Sequence, residues 1–187
     1  VGQFTSIAIG ADNNPIISYF DESNNDLKIV KCSNPSCSTF NTPLTLDSAG
    51  NVGGFTSIAI GADNNPITSY YDDTNEDLKL YKCSNTLCSS GTITILDRLG
   101  DVGKYNSIAI GADNNPIISY WNRTNNSLEV IKCTNPYCSS QNPPVTLDNS
   151  GNVQYSNMSI AIGVDDNPVI SYYDFINQNL MLVKSGS

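Results

Sequence analysis

The sequence has no histidine and few basic residues: nine lysines and arginines stand against eighteen aspartates and glutamates in 187 residues. Without histidine, the commonest general base and metal ligand is missing, and a serine–histidine–aspartate triad is excluded. The net charge of −9 makes nucleic acid and anionic membrane surfaces poor partners. No apolar run approaches the roughly 20 residues that cross a bilayer, so no transmembrane segment is expected.

What the sequence does contain is repetition. The decapeptide at residues 6–15 recurs letter for letter in the second and third quarters of the chain and, with two changes, in the last. The spacing divides a single domain, residues 1–187, into four repeats at 6–56, 57–106, 107–158 and 159–187. Most candidate site residues therefore occur three or four times, as in other repeat architectures.

Each repeat contains four short segments of strand character separated by turns. In the first repeat they are residues 6–10, 16–21, 27–32 and 43–47, and they are rich in β-branched and aromatic residues. Glycine, proline and asparagine interrupt every stretch before a helical period could form. An all-β propeller of four blades is therefore predicted, closed into a small ring with Ser-Ile-Ala-Ile as the innermost strand. A β-solenoid or sandwich is the alternative.

The fourth repeat ends after its third strand, which predicts a last blade without an outer strand. The unpaired edge would lie at Met181, Leu182 and Val183. Because an open edge can pair with another chain, a homo-oligomer or filament is predicted. The alternatives are a shorter last blade or a longer parent chain. In the turn before the third strand, Asn24 and its equivalents are expected to adopt left-handed geometry.

Six cysteines form three pairs with identical spacing: Cys32 and Cys37, Cys83 and Cys88, Cys133 and Cys138. The repeat symmetry favours one local disulfide in each repeat over other pairings. Metal binding is one alternative, but two thiols per repeat without histidine leave a zinc shell half empty. Free or inter-chain thiols are another. Disulfides indicate an oxidising compartment, so the protein is expected to be secreted or on a cell surface.

The repeat also has a family resemblance. It begins Ser-Ile-Ala-Ile-Gly-Ala-Asp-Asn-Asn-Pro-Ile-Ile-Ser-Tyr-Phe-Asp and continues to Asn-Asn-Asp-Leu-Lys. This pattern, which spans the chain, resembles blade repeats of large secreted bacterial β-propeller proteins, and its turn is similar to the Asp-box turn of sialidase-type propellers. The resemblance implies the fold and a secreted setting, without an activity. A sialidase needs three clustered arginines, and this chain has only Arg98 and Arg123.

One aspartate per repeat follows the innermost strand. These residues are Asp12, Asp63, Asp113 and Asp165. On a propeller they would surround one mouth of the central channel, where four carboxylates could share a Ca²⁺ ion. The alternative is that each caps its own turn by accepting hydrogen bonds from backbone N–H groups. A second acidic series, Asp47, Asp97 and Asp148, is interpreted as turn chemistry.

Aromatic residues recur in two series. The first, in the second strand, is Phe20, Tyr71, Trp121 and Tyr173, each preceded by a tyrosine. Packing between blades is one interpretation, and a flat platform for sugar rings, with Trp121 as the best candidate, is the other. The second series, Phe4, Phe55, Tyr105 and Tyr155, enters the innermost strand. Tyr105 and Tyr155 are the further candidates for ligand contact.

The third repeat breaks the pattern. Where the others have aspartate it has Asn122-Arg123-Thr124, followed by Asn125-Asn126-Ser127, and both tripeptides are glycosylation sequons. A third sequon lies at Asn157. Glycan attachment at these residues is therefore a prediction, and chance occurrence in an asparagine-rich chain is the alternative.

These features predict an extracellular, non-enzymatic propeller acting as a structural, adhesive or assembly module, with a lectin-like carbohydrate-binding protein as the alternative. A glycosidase with paired carboxylates would be compatible with the composition, but every prominent acid belongs to a repeated turn. The expected partners are glycans or other copies of the chain.

Overall fold

The computed structural model describes residues 2–154 and 157–185, which form fifteen strands in four antiparallel sheets. Blade 1 contains β1 (Gln3–Ile9), β2 (Pro15–Asp21), β3 (Asp26–Lys31) and β4 (Leu44–Asp47). Blade 2 contains β5 (Val52–Ile60), β6 (Pro66–Asp72), β7 (Asp77–Cys83) and β8 (Gly91–Asp97). Blade 3 contains β9 (Val102–Ile110), β10 (Pro116–Asn122), β11 (Ser127–Lys132) and β12 (Val145–Asp148). Blade 4 contains β13 (Ser159–Ile162), β14 (Pro168–Asp174) and β15 (Asn179–Lys184).

The predicted all-β propeller of four blades is confirmed, and in the described residues the sheet of the last blade has three strands. Strands follow chain order from the centre outward in every sheet, and the innermost strands β1, β5, β9 and β13 lie side by side. Within the described ranges the structure has no helix that could cross a membrane.

Apolar clusters hold neighbouring blades together. At the first boundary, Leu27 and Ile29 of blade 1 meet Ile58 and Tyr70 of blade 2. The equivalent residues at the second boundary are Leu78, Leu80, Ile108 and Tyr120, and those at the third are Leu128, Val130, Ile160 and Tyr172. One pattern of side chains therefore builds three interfaces, and burial of its apolar surface supplies most of their stability.

Two hydrogen bonds recur at all three boundaries. A tyrosine hydroxyl donates over 2.7 Å to the aspartate that ends the previous blade's outer strand, in the pairs Tyr70–Asp47, Tyr120–Asp97 and Tyr172–Asp148. An innermost-strand amide donates to a serine hydroxyl of the previous blade, in the pairs Ile58–Ser6, Ile108–Ser57 and Ile160–Ser107. The aspartates also hold their own turns, as predicted, whereas their bond across the boundary is not evident from the sequence.

The expectation that four blades close the ring is wrong. In the described chain, β13 packs beside β9 but has no comparable contact with β1. Ile7 is consequently 63% exposed, whereas its equivalents Ile58, Ile108 and Ile160 are 7–8% exposed. The predicted edge residues Met181, Leu182 and Val183 lie on β15, the outermost strand of blade 4. The four blades therefore form an open arc.

The turn before each third strand differs from the prediction by one residue. The positive φ angle falls on Asn25, Glu76, Asn126 and Gln178 instead of on Asn24 and its equivalents. Asn24 donates its side-chain amide to the Asp21 carboxylate over 2.8 Å. The recurring asparagine is therefore used for its amide, which closes an Asx-type turn.

The three predicted local disulfides are confirmed. They join Cys32 to Cys37, Cys83 to Cys88 and Cys133 to Cys138. Each fastens the loop between the third and fourth strands of its blade.

Candidate functional site

The candidate site is the mouth of the central channel at which the innermost strands begin, hereafter the upper mouth. Here a cavity of about 250 Å³ is lined by side chains from all four blades. They are Phe4, Thr5, Phe55, Thr56, Tyr105, Asn106, Asn157 and Met158. Aromatic faces with a few hydroxyl and amide groups are the composition of a site for a small polar ligand.

The aromatic residues of this cavity form a continuous row. The ring centroids of Phe4 and Phe55 are 4.4 Å apart, and those of Phe55 and Tyr105 are also 4.4 Å apart. Tyr155, the predicted fourth member, lies outside the described residues. Within the described residues the row therefore presents three rings, one from each of the first three blades.

Backbone geometry places these rings. Phe4, Phe55 and Tyr105 have φ angles of 50°, 53° and 54°, in the left-handed region that bulky residues rarely adopt. The pairing register of β1 with β2 and of β5 with β6 shifts next to these residues, as at a β-bulge. Strain of this kind persists only where the surrounding structure enforces it, and it concentrates at ligand sites.

Trp121, the strongest sequence-based candidate for a sugar platform, lies beneath this row. Its side chain is buried, with 4% exposure, and its indole N–H donates to Asn126 Oδ1 over 3.1 Å. Its ring packs against Tyr105 with centroids 6.0 Å apart. Trp121 therefore supports the aromatic row from behind and does not itself offer an open aromatic face.

The polar side chains beside the row are fixed by hydrogen bonds between blades. The hydroxyl of Thr56 donates to the Ser18 hydroxyl over 3.0 Å. Asn106 accepts a 2.6 Å bond from Ser69 and donates its amide to the Gly103 carbonyl. These bonds hold the lining of the upper mouth rigid.

A cluster around Asp101, at the boundary of blades 2 and 3, lies at the rim of the upper mouth. The Asp101 carboxylate accepts hydrogen bonds from Lys104 at 2.7 Å, Arg123 at 2.8 Å and the Tyr71 hydroxyl at 2.8 Å. Lys104 Nζ also lies 4.8 Å from the centre of the Tyr71 ring. Tyr71 in turn packs against Phe55, so the cluster is continuous with the aromatic row.

Electrostatics keep Asp101 ionised. Burial acts to raise the pKa of this carboxyl, but the hydrogen bonds from Arg123, Lys104 and Tyr71 outweigh it and hold the pKa below its ordinary value. Burial and the Asp101 carboxylate raise the pKa of Tyr71, so its hydroxyl stays protonated. The repeat pattern alone does not point to Asp101 or Lys104. The one sequence signal for Asp101 is that the first and third connections between repeats have asparagine, Asn51 and Asn152, at its position.

The aspartates proposed as a shared Ca²⁺ site lie at the opposite end of the innermost strands. Each pairs with a lysine of its own blade, and the pairs are Asp12–Lys31, Asp63–Lys82, Asp113–Lys132 and Asp165–Lys184. The Lys184 ammonium lowers the pKa of Asp165 to about 2. Among the described residues, no three potential metal ligands lie together. The structure therefore does not bring these carboxylates to one ion, and the lysines already neutralise them.

The sequon asparagines occupy different environments. Asn122 is 3% exposed and donates its side-chain amide to Glu129 Oε1 over 2.9 Å. Here Asn122 and Glu129 replace Asp72 and Lys79, an ion pair in blade 2, so the broken pattern maintains a buried contact. A glycan on the Asn122 amide does not fit the folded chain, whereas Asn125 and Asn157 are exposed. Glycosylation of the latter two stays a prediction.

Comparison with known proteins gives structural neighbours only. No family model matches the sequence, and no curated protein is significantly similar to it. An α-L-arabinofuranosidase from Clostridium thermocellum superposes with a TM-score of 0.65 at 15% identity, over 98% of this chain and 68% of the enzyme. A putative exo-β-1,3-galactanase from Bifidobacterium bifidum gives 0.65 at 8% identity, over 100% and 69%.

An exo-β-1,3-galactanase from Phanerochaete chrysosporium gives a TM-score of 0.63 at 7% identity, and the match covers 96% of this chain but only 45% of that enzyme. The likeness confirms the propeller fold. It does not support the resemblance to non-catalytic, sialidase-type repeats, since these neighbours are glycoside hydrolases. It also contradicts the expectation of a non-enzymatic structural, adhesive or lectin-like module.

Proposed function

We propose that this propeller is a carbohydrate-active enzyme that binds its glycan at the upper mouth. The observation that carries the proposal is the aromatic row Phe4, Phe55 and Tyr105 at the opening of the channel. Sugar rings have apolar faces that stack on aromatic rings, while their hydroxyl groups need hydrogen-bonding partners at the edges. The side chains of Thr5 and Asn157, which are exposed at the cavity, would supply those partners.

The chemistry would fall to carboxyl groups, because the chain has no histidine. Glycoside hydrolysis generally uses two carboxyls, one protonated to assist the leaving group and one ionised. Asp101 is proposed as the ionised group, since two cations and a hydroxyl hold it in that state at the rim. The acid is sought among exposed acidic side chains of the β2–β3 and β6–β7 turns, at the same end of the blades: Glu22, Asp73 and Glu76.

The proposed substrates are arabinosides and β-1,3-linked galactans, the classes named for the neighbouring folds. The test measures sugar release from nitrophenyl α-L-arabinofuranoside and from β-1,3-galactan. Tyr105→Ala should lower kcat/KM by at least ~10-fold because it removes the stacking face, and Asp101→Asn should lower kcat. Tyr137→Ala, at an exposed tyrosine of a cysteine loop, is the matched control. Wild-type protein without glycosidase activity on either substrate would refute the proposal.

The proposed setting is extracellular, either secreted or at a cell surface. Three disulfides are consistent with an oxidising compartment, where they form and persist. An extracellular location would also bring the upper mouth into contact with polysaccharide.

A further inference from the structure

The arc of blades ends in two apolar faces. On blade 1, Ile7 and Ile9 are exposed, although their equivalents in the later blades lie against a preceding blade. On blade 4, Leu180 and Leu182 are 75% and 66% exposed, whereas the leucine and isoleucine side chains at these positions of blades 1 and 2 are fully buried. These two faces are the opposite halves of the interface that the chain builds three times.

The recurring hydrogen bonds also end at these faces. Three tyrosines donate to an aspartate of the preceding blade, but no carboxylate of the described residues accepts a bond from Tyr19. Three innermost-strand amides donate a hydrogen bond to a serine hydroxyl of the preceding blade. In the described chain no serine accepts such a bond from the Ile7 amide. Blade 1 therefore presents the donors of a fourth boundary together with its apolar surface.

A concave surface marks the same face of blade 1. A cavity of about 370 Å³ there is lined almost entirely by apolar atoms. Its lining includes Tyr19, Val30 and Phe40. The equivalents of Val30 are Tyr81 and Ile131, and both are buried in the interior blades. Exposed apolar surface of this kind marks an interaction site.

We propose that these two faces bind one further four-stranded blade of the same repeat, inserted between blade 4 and blade 1. The occupant is specified by the interfaces already present. Its third strand must carry two large aliphatic residues against Ile7 and Ile9, and its outer strand must end in an aspartate for Tyr19. Its innermost strand must carry a serine for the Ile7 amide and an isoleucine for the Leu180 face.

Closure would also complete the upper mouth. Phe4 is more exposed than Phe55 or Tyr105, because blade 1 has no neighbour on its open side. An inserted blade would enclose the aromatic row and exclude water from that side of the cavity. The inference concerns an interface and stands whether or not the upper mouth hydrolyses glycans.

The test extends the chain by its own repeat. In place of residues 185–187, a copy of residues 133–184 is appended, followed by a copy of residues 133–148. The first copy gives blade 4 an outer strand and begins a fifth blade, and the second gives that blade its outer strand and aspartate. Hydrogen exchange at the Ile7 amide should slow by at least ~10-fold, and the midpoint of thermal unfolding should rise by about 5 °C or more.

The matched control carries lysine at the copies of Leu180 and Leu182 in the appended blade. It keeps the added length and the contact with blade 4 but loses the contact with blade 1, so exchange at Ile7 should return to the rate of the unextended chain. An appended repeat that stays disordered, or that leaves Ile7 exchange unchanged, would overturn the proposal.

The unextended chain supplies an independent measurement. Analytical ultracentrifugation should find it monomeric, with rapid exchange at Ile7 and with stability little affected by Ile7→Asp. A dimer that protects Ile7 and is disrupted both by Ile7→Asp and by Leu182→Asp would identify a second copy as the occupant. That result would overturn insertion of a single blade.

Discussion

The interior boundaries and the open ends of this propeller are made from the same sequence but have opposite environments. Leu78 and Leu180 occupy equivalent positions of the repeat, and only Leu78 is covered by a following blade. Tyr70 and Tyr19 are likewise equivalent, and only Tyr70 reaches an aspartate. A repeat unit therefore does not fix the burial of its own side chains, because each blade depends on its neighbours for half of its core.

The largest contrast is expected for leucine truncation. Leu78→Ala should lower the free energy of unfolding by about 3 kcal/mol, because it leaves a cavity at a closed boundary. Leu180→Ala should change it by less than ~0.5 kcal/mol, because that side chain is already exposed. Urea unfolding of both variants measures the difference. Equal losses would mean that the blade 4 face is covered in solution.

A similar contrast is expected for glycine. Gly103 has a φ of +102°, and a β-carbon there would lie 2.8 Å from Leu78 Cα on the neighbouring blade. Gly2 also has positive φ but has open space around the added atom. Gly103→Ala should therefore destabilise by about 2 kcal/mol or more, and Gly2→Ala by about 1 kcal/mol or less. Thermal unfolding compares the stability of the two variants. A smaller loss of stability for Gly103→Ala would show that blades 2 and 3 shift apart to accommodate the added carbon.

Removing one hydroxyl tests the bond across the boundary. Tyr70→Phe deletes the donor to Asp47 and should cost about 1.5–2 kcal/mol, since the acceptor is charged and buried. Tyr19→Phe should be nearly neutral in the unextended chain. Chemical denaturation of the Tyr70→Phe and Tyr19→Phe variants gives the contribution of the hydrogen bond to the free energy of unfolding. A matching loss at Tyr19 would reveal a partner on the open face.

The smallest effect is expected where a contact lies within a single blade. Hydrogen bonds from Lys28 and Asn24 lower the pKa of Asp21 from 3.8 to about 2. Because the folded-state value is the lower one, Asp21 stabilises the fold fully above pH ~4, and this contribution disappears as the pH falls toward 2. Asp21→Asn should flatten that part of the stability profile, as measured by urea midpoints from pH 5 to pH 2. If the slope of stability against pH is the same in the variant, other carboxyl groups cause the loss of stability in acid.

Much of the local structure was predictable from the repeat. Alternating β-formers between Asx and proline turns predicted the strands, and identical cysteine spacing predicted each disulfide. The strands and disulfides of a single blade depend on contacts between residues that are close in sequence. They can therefore be recognised from the repeated sequence alone. Trp121 shows the limit: period-two alternation places it on one face of its strand, but whether that face is open depends on Tyr105 of the innermost strand.

The candidate site was less predictable. Asp101 and Arg123 are 22 residues apart, and they meet only because the turn of β10 folds beside the connection entering β9. Tyr71 reaches Asp101 from the preceding blade. Only departures from the repeat, such as Asp101 in place of Asn51, mark this cluster in the sequence.

The sequence by itself determined the blade, its turns and its disulfide, since these follow from local hydrogen bonding and short loops. Tertiary structure alone decided which copies of a repeated residue are buried, where the aromatic row opens and that the ring is open between blade 4 and blade 1. The physical reason is that identical surfaces gain stability only by contact with a neighbour, and four repeats provide three such contacts.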